Sequence, residues 1–579
     1  MPQVLLPFEV KAPEDVPHEH FLECGLFRTL PQSMQEACQK NTHLMEYLHM
    51  LPLEEMGVPQ FYPALSRKVG DLKERNLLYP VSDDILIHVW SGLKEDRDMY
   101  IPIEPSLSVH LNGKLTRVEE KLLDMAPQFA NTETREEREQ ALLACLEAIC
   151  QVSEGALSSS KPRFSLFSKR GNGNGKVQVT PREYQAIRYL VLRDKVGLGT
   201  LEPMMRDSHI EDISCSGLGN IFIEHKVFRS LKSAITFDNH DDLDQFVLRL
   251  SEQIKRPVTM RNPIVDAVLP DGSRINIVFG REVSQRGSNF SIRKFTDTPL
   301  SILELVEFGS MDYRMAAYLS IVLEEGMNMF VAGETASGKT TLLNALTTFV
   351  PSAAKVITIE DTPEVQVPHQ NWIREVSKAP RKGEQGAAVT MFDLLKAALR
   401  QRPNLIIIGE IRGEEGNIAF GAMQTGHSVM ATFHAASVEK LIQRLTGNPI
   451  SVPKTYIDNL NVVVIQSAVK LPNGKKARRA MSISEIVSYD SSSDCFSYVE
   501  VFRWDPARDV FEFVGDKNSY ILEEKIAPRR GIPPSKKWLI YDQLEKRARI
   551  LQKLHKEKGI TGYYELLKVL SRAQQEGIF

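Results

Sequence analysis

Along residues 327–332, 356–359 and 405–408 apolar positions follow one another with almost no polar interruption. Unbroken runs of this length are what strands buried on both faces of a parallel sheet require. From about 300 to 490 such runs alternate with helical stretches over short links, which predicts a parallel α/β sheet. Between 178 and 298 the periods are mixed. Residues 183–195 read as a helix, 221–223 and 234–237 as strands, and 241–254 as a helix with Leu243, Phe246, Val247 and Leu250 on one face. A turn at 270–272 and a strand at 290–295 complete an α+β pattern. Residues 1–152 carry a strand at 86–90 and helical spacing from 117 to 152. Residues 491–579 hold aromatic strand-like stretches and then two helices.

The tract 153–176 breaks these periods. It contains Ser158-Ser159-Ser160 and Gly171-Asn172-Gly173-Asn174-Gly175, offers nothing to pack, and reads as a flexible basic linker. The expected organisation is an accessory or docking domain at 1–152, a linker at 153–177, a second N-terminal α+β domain at 178–298, an α/β domain at 299–490 and an extension at 491–579. A length of 579 residues suggests about four domains at about 150 residues each.

Composition narrows the function classes. The chain is 42% hydrophobic and 25% charged, which excludes a wholly disordered chain and a fibrous repeat. Lys plus Arg number 71 against 74 acidic residues, so no whole-chain charge draws it to nucleic acid, and no direct nucleic-acid contact is expected. Six cysteines without a Cys-x-x-Cys are too few for a disulfide framework, and Cys145 and Cys150 are expected as buried apolar packing. No apolar run approaches the roughly 18 residues that a membrane span needs. The first thirty residues lack a basic start followed by an apolar core. A cytoplasmic chain, peripheral at the inner face of the membrane, is the expectation.

Chemistry concentrates in the 299–490 region. The strand at 327–332 runs into Gly333, Glu334, Thr335, Ala336, Ser337, Gly338, Lys339, Thr340 and Thr341, which fits G-x-x-x-x-G-K-[ST]. The glycines let the backbone curl so that its N–H groups face phosphate oxygens, and the following helix adds its positive end. Lys339 supplies charge to the β- and γ-phosphates of ATP, and Thr340 offers a hydroxyl to Mg²⁺. Hydrolysis also needs carboxylates at the metal and at the attacking water. Glu360 and Glu364 follow one buried strand, and Glu410 follows Gly409 at the end of another. In a parallel sheet the carboxyl ends of strands face the ligand crevice, so these groups should converge on the loop. Glu364 is the first choice for orienting water and Glu360 the alternative, with Glu410 acting on Mg²⁺ and its waters. His434 ends a further strand on the ligand side, where it would contact the γ-phosphate; His427 begins the same strand.

Together these motifs resemble the secretion ATPases of type II and type IV systems: the pilus motors, the conjugation ATPases and the archaellum motor. That family carries a phosphate loop, an acidic box, a Gly-Glu motif and a His box in the order seen at 333–341, 360–364, 409–410 and 426–434. The resemblance implies a RecA-like P-loop ATPase domain, preceded by a smaller α+β domain and an additional N-terminal domain. It implies a homo-hexamer on a polytopic membrane platform protein, acting indirectly on pilin-like subunits. Arg274 and Arg293 match strand arginines that reach nucleotide phosphates in the family. The four-Cys zinc module of many bacterial members is absent, and the segments at 100–105 and 502–506 look more like the archaeal members. Two other readings share the motifs: a conjugation or DNA-uptake motor, and a nucleotide-gated scaffold with little turnover.

Overall fold

The structure is a computed structural model and describes residues 3–9, 24–66, 69–70, 72–92, 97–130, 132, 134–153, 175–295, 298–378, 388–472 and 474–579. Contacts group the chain into two units, Met1–Phe295 and Thr296–Phe579.

The first unit is built on an eleven-stranded sheet. Ile264–Val268, Arg274–Val278, Asn289–Arg293, Ile210–Cys215, Gly219–His225 and Arg229–Phe237 follow one another by antiparallel pairing. The sheet then continues into the front of the chain through one parallel joint, where Lys232 and Ser233 pair with Met99 and Tyr100. Met99–Ile103, Leu86–Trp90, Asn76–Pro80 and Gln60–Phe61 complete it, and Gln3–Val4 pairs beside Arg229–Phe237. Residues on both sides of the expected linker thus share one sheet. Most of that linker, 154–174, lies outside the described residues.

Buried chemistry also crosses that boundary. Asp207 is fully buried and accepts hydrogen bonds from the hydroxyls of Tyr79 at 2.6 Å and Tyr100 at 3.1 Å. A buried carboxylate is tolerated only with such donors. Cys145 and Cys150 are buried free thiols, as expected, but Cys150 opens the short strand Cys150–Val152 instead of ending the helix Arg135–Ile149.

In the second unit the strands are, in chain order, β1 Met329–Gly333, β2 Val356–Glu360, β3 Trp372–Val376, β4 Leu405–Ile411, β5 Ser428–Phe433, β6 Val462–Lys470, β7 Lys476–Asp490, β8 Cys495–Asp505 and β9 Val510–Phe513. They lie side by side as β3-β2-β4-β5-β1-β6-β7-β8-β9. The first six of that order are parallel and the rest antiparallel. Successive residues of each buried strand feed two cores. Met329 and Val331 join Leu342, Leu346 and Tyr318 on one face, while Phe330 and Ala332 join Leu395, Phe420 and Leu441 on the other. This is why the parallel strands read as continuous apolar runs.

The residues after 490 are part of this unit. β8 and β9 extend its sheet, and the helices Leu539–Lys556 and Tyr563–Gln575 bury Leu544, Leu551, Leu566 and Leu570 in the first of the two cores. Among the described residues no helix is long and apolar enough to cross a membrane.

Candidate nucleotide site

The phosphate loop connects β1 to the helix Lys339–Leu346. A Cβ at Gly333 would lie 2.1 Å from the carbonyl oxygen of Gln466 on β6 and 2.7 Å from Ser337 Oγ. Only glycine admits so close a backbone neighbour. The loop then turns through positive φ at Ala336 (61°) and Gly338 (93°). Ser337 Oγ and Lys339 Nζ both donate to the Glu334 carbonyl at 2.8 Å. The helix opens at Gly338 with no side chain capping it, so no side chain competes for its first amides. Thr340 and Thr341 stand half-buried in that first turn. Burial lowers the Lys339 pKa, and the charges of Glu410 and Glu364 oppose the shift.

The sheet order sets the carboxyl ends of β2, β4, β5 and β1 next to one another, so the acidic motifs and the loop share one edge. Glu360 ends β2 and is 1% exposed. Its Oε1 accepts the backbone N–H groups of Glu364 and Val365, each at 2.8 Å, while its buried Oε2 has no hydrogen-bond partner. Burial pushes this carboxyl up to about 7. A Cβ at Gly409 would stand 3.0 Å from Glu360 Cγ, which accounts for a small residue ahead of Glu410. Glu364 is exposed on the loop that Glu360 holds, and Asn344 Nδ2 donates to its carbonyl at 3.1 Å.

Glu410 and His434 come together. His434 Nε2 lies 2.9 Å from Glu410 Oε1, off the line of a directed hydrogen bond. The other carboxylate oxygen pairs with Arg412. Partial burial lowers the His434 pKa against the pull of Glu410. His427 does not join them: its Nδ1 lies 3.2 Å from Thr425 Oγ1 at the opposite end of β5. In the first unit, Arg274 and Arg293 stand directly opposite each other on paired strands. Arg293 Nε donates to Asp212 Oδ1 at 3.1 Å, which offsets part of that like-charge contact.

The donor set suits a magnesium ion held partly by phosphates. Among the described residues no three His, Cys, Asp or Glu side chains form a metal cage. Mg²⁺ on a nucleotide needs only one or two protein oxygens, and Thr340 and Glu410 carry side-chain oxygens of that kind. A cavity of about 270 Å³ opens beside the loop, lined by Glu334, Glu439, Gln466, Tyr498 and Glu500 among others. Its three carboxylates suit a polyphosphate poorly, so the phosphate assignment rests on the loop.

Four side chains beside the motifs were not singled out by sequence: Asn344, Arg412, Gln466 and Arg478. Arg412 follows Glu410 by two residues and was within reach of a motif reading. Gln466 and Arg478 come from β6 and β7, more than a hundred residues beyond the loop, and carry no local signal.

The sheet, the loop at the end of β1 and the acidic strand ends define a RecA-like α/β domain. Residues 194–501 match the family described as type II/IV secretion system protein, and the chain belongs to that family. An uncharacterised protein of Methanocaldococcus jannaschii is 43% identical over 94% of this chain and 97% of its own length. The type IV secretion system protein PtlH of Bordetella pertussis is 30% identical over 43% of this chain and 79% of its own. The solved structure of the Legionella pneumophila ATPase DotB matches at 18% identity and a TM-score of 0.37, over 63% of this chain and 92% of that one.

Proposed function

We propose that this protein is a cytoplasmic P-loop ATPase whose turnover drives assembly of pilin-like filaments, or movement of a secreted substrate, through a polytopic membrane platform protein. Family membership supports ATPase activity. The observation that carries the reading is the cluster of Lys339, Glu410 and His434 at adjacent strand ends beside an uncapped helix start.

In this reading the loop amides from 333 to 341 and the Lys339 ammonium bind the β- and γ-phosphates, and their fixed charges favour the transition state as negative charge shifts. Mg²⁺, when bound by Thr340 and Glu410, neutralises phosphate charge. Glu364 orients the attacking water from the loop that Glu360 fixes by accepting two of its amides. His434 contacts the γ-phosphate from beside Glu410. Arg274 and Arg293 add positive charge to the transferring phosphoryl group. Six copies form the working ring. The segment before 153 serves docking while sharing its sheet with the residues that follow the linker.

Phosphate release by the purified protein tests the chemistry. Glu410→Gln keeps nucleotide binding and lowers turnover by about 10²-fold or more, the usual scale for a catalytic electrostatic group. Lys339→Ala removes both binding and turnover. Full activity in Lys339→Ala protein would sink the phosphate-loop assignment, and wild-type protein that binds ATP without turnover would favour the gated scaffold. Turnover per chain should rise with protein concentration as the ring forms. Mixing Arg274→Ala/Arg293→Ala chains with Lys339→Ala chains restores part of the activity if the arginines act across subunits.

A further inference from the structure

Two consecutive arginines on β7 project to opposite sides of the strand and do different things. Arg479 is buried. Its Nε and Nη2 donate to Asp509 Oδ1 and Oδ2, each at 2.8 Å, and its Nη1 donates to the Phe308 carbonyl at 3.1 Å. Trp504 Nε1 donates to the same Asp509 at 2.8 Å. A bidentate, buried Arg–Asp pair of this kind fixes the backbone that carries it. Gly309 follows from it, since a Cβ there would stand 3.1 Å from Arg479 Nη2.

Arg478 therefore leaves an anchored strand, and it leaves toward the phosphate loop. Its Nε donates to the Ala336 carbonyl at 3.2 Å. Its Cδ would lie 3.1 Å from a Cβ at Gly338, so the side chain lies against the loop at its second glycine. No carboxylate pairs with Arg478 among the described residues. The loop residue it holds is the one non-glycine of the motif with positive φ. That conformation costs an L-residue on the order of 1 kcal/mol or more and persists only where neighbours enforce it. In a planar trans peptide the N–H points away from the C=O. Holding the Ala336 carbonyl outward therefore turns the Ser337 N–H inward, where it donates to the Glu334 carbonyl at 3.3 Å, the oxygen that also accepts from Lys339 Nζ.

We propose that Arg478 is a positioning residue of the nucleotide site: it clamps the Ala336 peptide so that the loop amides stay aimed at the β-phosphate. The proposal rests on the phosphate-loop reading above. It predicts that affinity for nucleotides carrying a β-phosphate depends on Arg478, although the residue lies on another strand of the sheet.

The test is titration of the purified full chain with fluorescent ADP and AMP analogues, using wild type, Arg478→Met, Arg478→Lys and Lys339→Ala. Methionine keeps most of the stem against Gly338 and lacks the donor; lysine keeps a charged donor. ADP affinity should fall about 10-fold or more in Arg478→Met, the scale for losing a charged hydrogen bond, and recover largely in Arg478→Lys. AMP, which has no β-phosphate, should bind both variants as it binds wild type. The melting temperature without nucleotide should be unchanged in both, because Arg478 is exposed. Wild-type ADP affinity in Arg478→Met overturns the proposal while leaving the loop assignment intact. An equal loss for ADP and AMP overturns it too, since the effect would not lie at the β-phosphate. Wild-type protein that binds neither nucleotide, or Lys339→Ala protein that binds ADP normally, would instead overturn the phosphate-loop reading itself.

Discussion

Glu360 holds two loop amides through one oxygen and leaves the other buried without a hydrogen bond, 4.0 Å from Arg374 Nε. Its folded pKa of about 7 stands above the ordinary carboxyl value because burial penalises the charge. A carboxyl raised in this way binds its proton more tightly in the folded chain than in the unfolded one. The stability it contributes is complete below the unfolded pKa and is lost as pH rises through about 7. Glu360→Gln keeps an acceptor for the amides and cannot ionise. Thermal melting of the nucleotide-free chain between pH 4 and pH 8 should therefore show the wild type losing ground to the variant by an amount on the order of 3 kcal/mol. A difference that does not change with pH would show that Glu360 is not the proton-binding group.

At the scale of elements, the loop is shaped by the strand beside it. β6 runs parallel to β1, and the Gln466 carbonyl passes so close to Gly333 that even a methyl group has no room. Gly333→Ala must push β6 away from β1 or twist the loop. Both movements reach Gln466, whose Nε2 donates to Ser310 Oγ at 3.0 Å. The expected cost is about 1–3 kcal/mol, the range for overpacking a tight site, seen as a lower denaturation midpoint. Nucleotide affinity should fall further than stability alone explains, because the amides move with the loop. Gly421 supplies the contrast: a Cβ there meets nothing within 4 Å, and Gly421→Ala in the helix Glu415–Gln424 should hold or raise the midpoint.

At the scale of the molecule, the shared sheet of the first unit changes where the chain can be cut. Composition marks the tract 153–176 as the natural break, and removal of residues 1–176 would on that ground leave an intact remainder. The structure argues otherwise. That cut strips Met99 and Tyr100 from the edge of Arg229–Phe237 and removes two hydroxyl donors from the buried Asp207. An exposed strand edge and an undersatisfied carboxylate favour aggregation. Residues 177–579 should sediment as aggregates or melt well below the full chain. A fragment beginning at Thr296 keeps both cores of the second unit and should remain folded and bind ADP. A monodisperse, full-stability 177–579 fragment would contradict this account.

The sequence by itself determined what depends on near neighbours in the chain. The continuous apolar runs of β1, β2 and β4 marked doubly buried strands. The glycines, Lys339 and Thr340 marked the loop, because its geometry is made within nine residues, and the order of the acidic and His motifs placed Glu360, Glu410 and His434 at strand ends. Tertiary structure alone decided what depends on long-range pairing. The parallel joint between Met99–Tyr100 and Lys232–Ser233 put strands from both sides of the expected linker in one sheet. The residues after 490 became the flank and cover of the second sheet. Arg478 reached the loop from 142 residues away. Pairing between distant strands is set by which edges remain free and which faces remain apolar after local structure forms, and neither property is written in any short window of the chain.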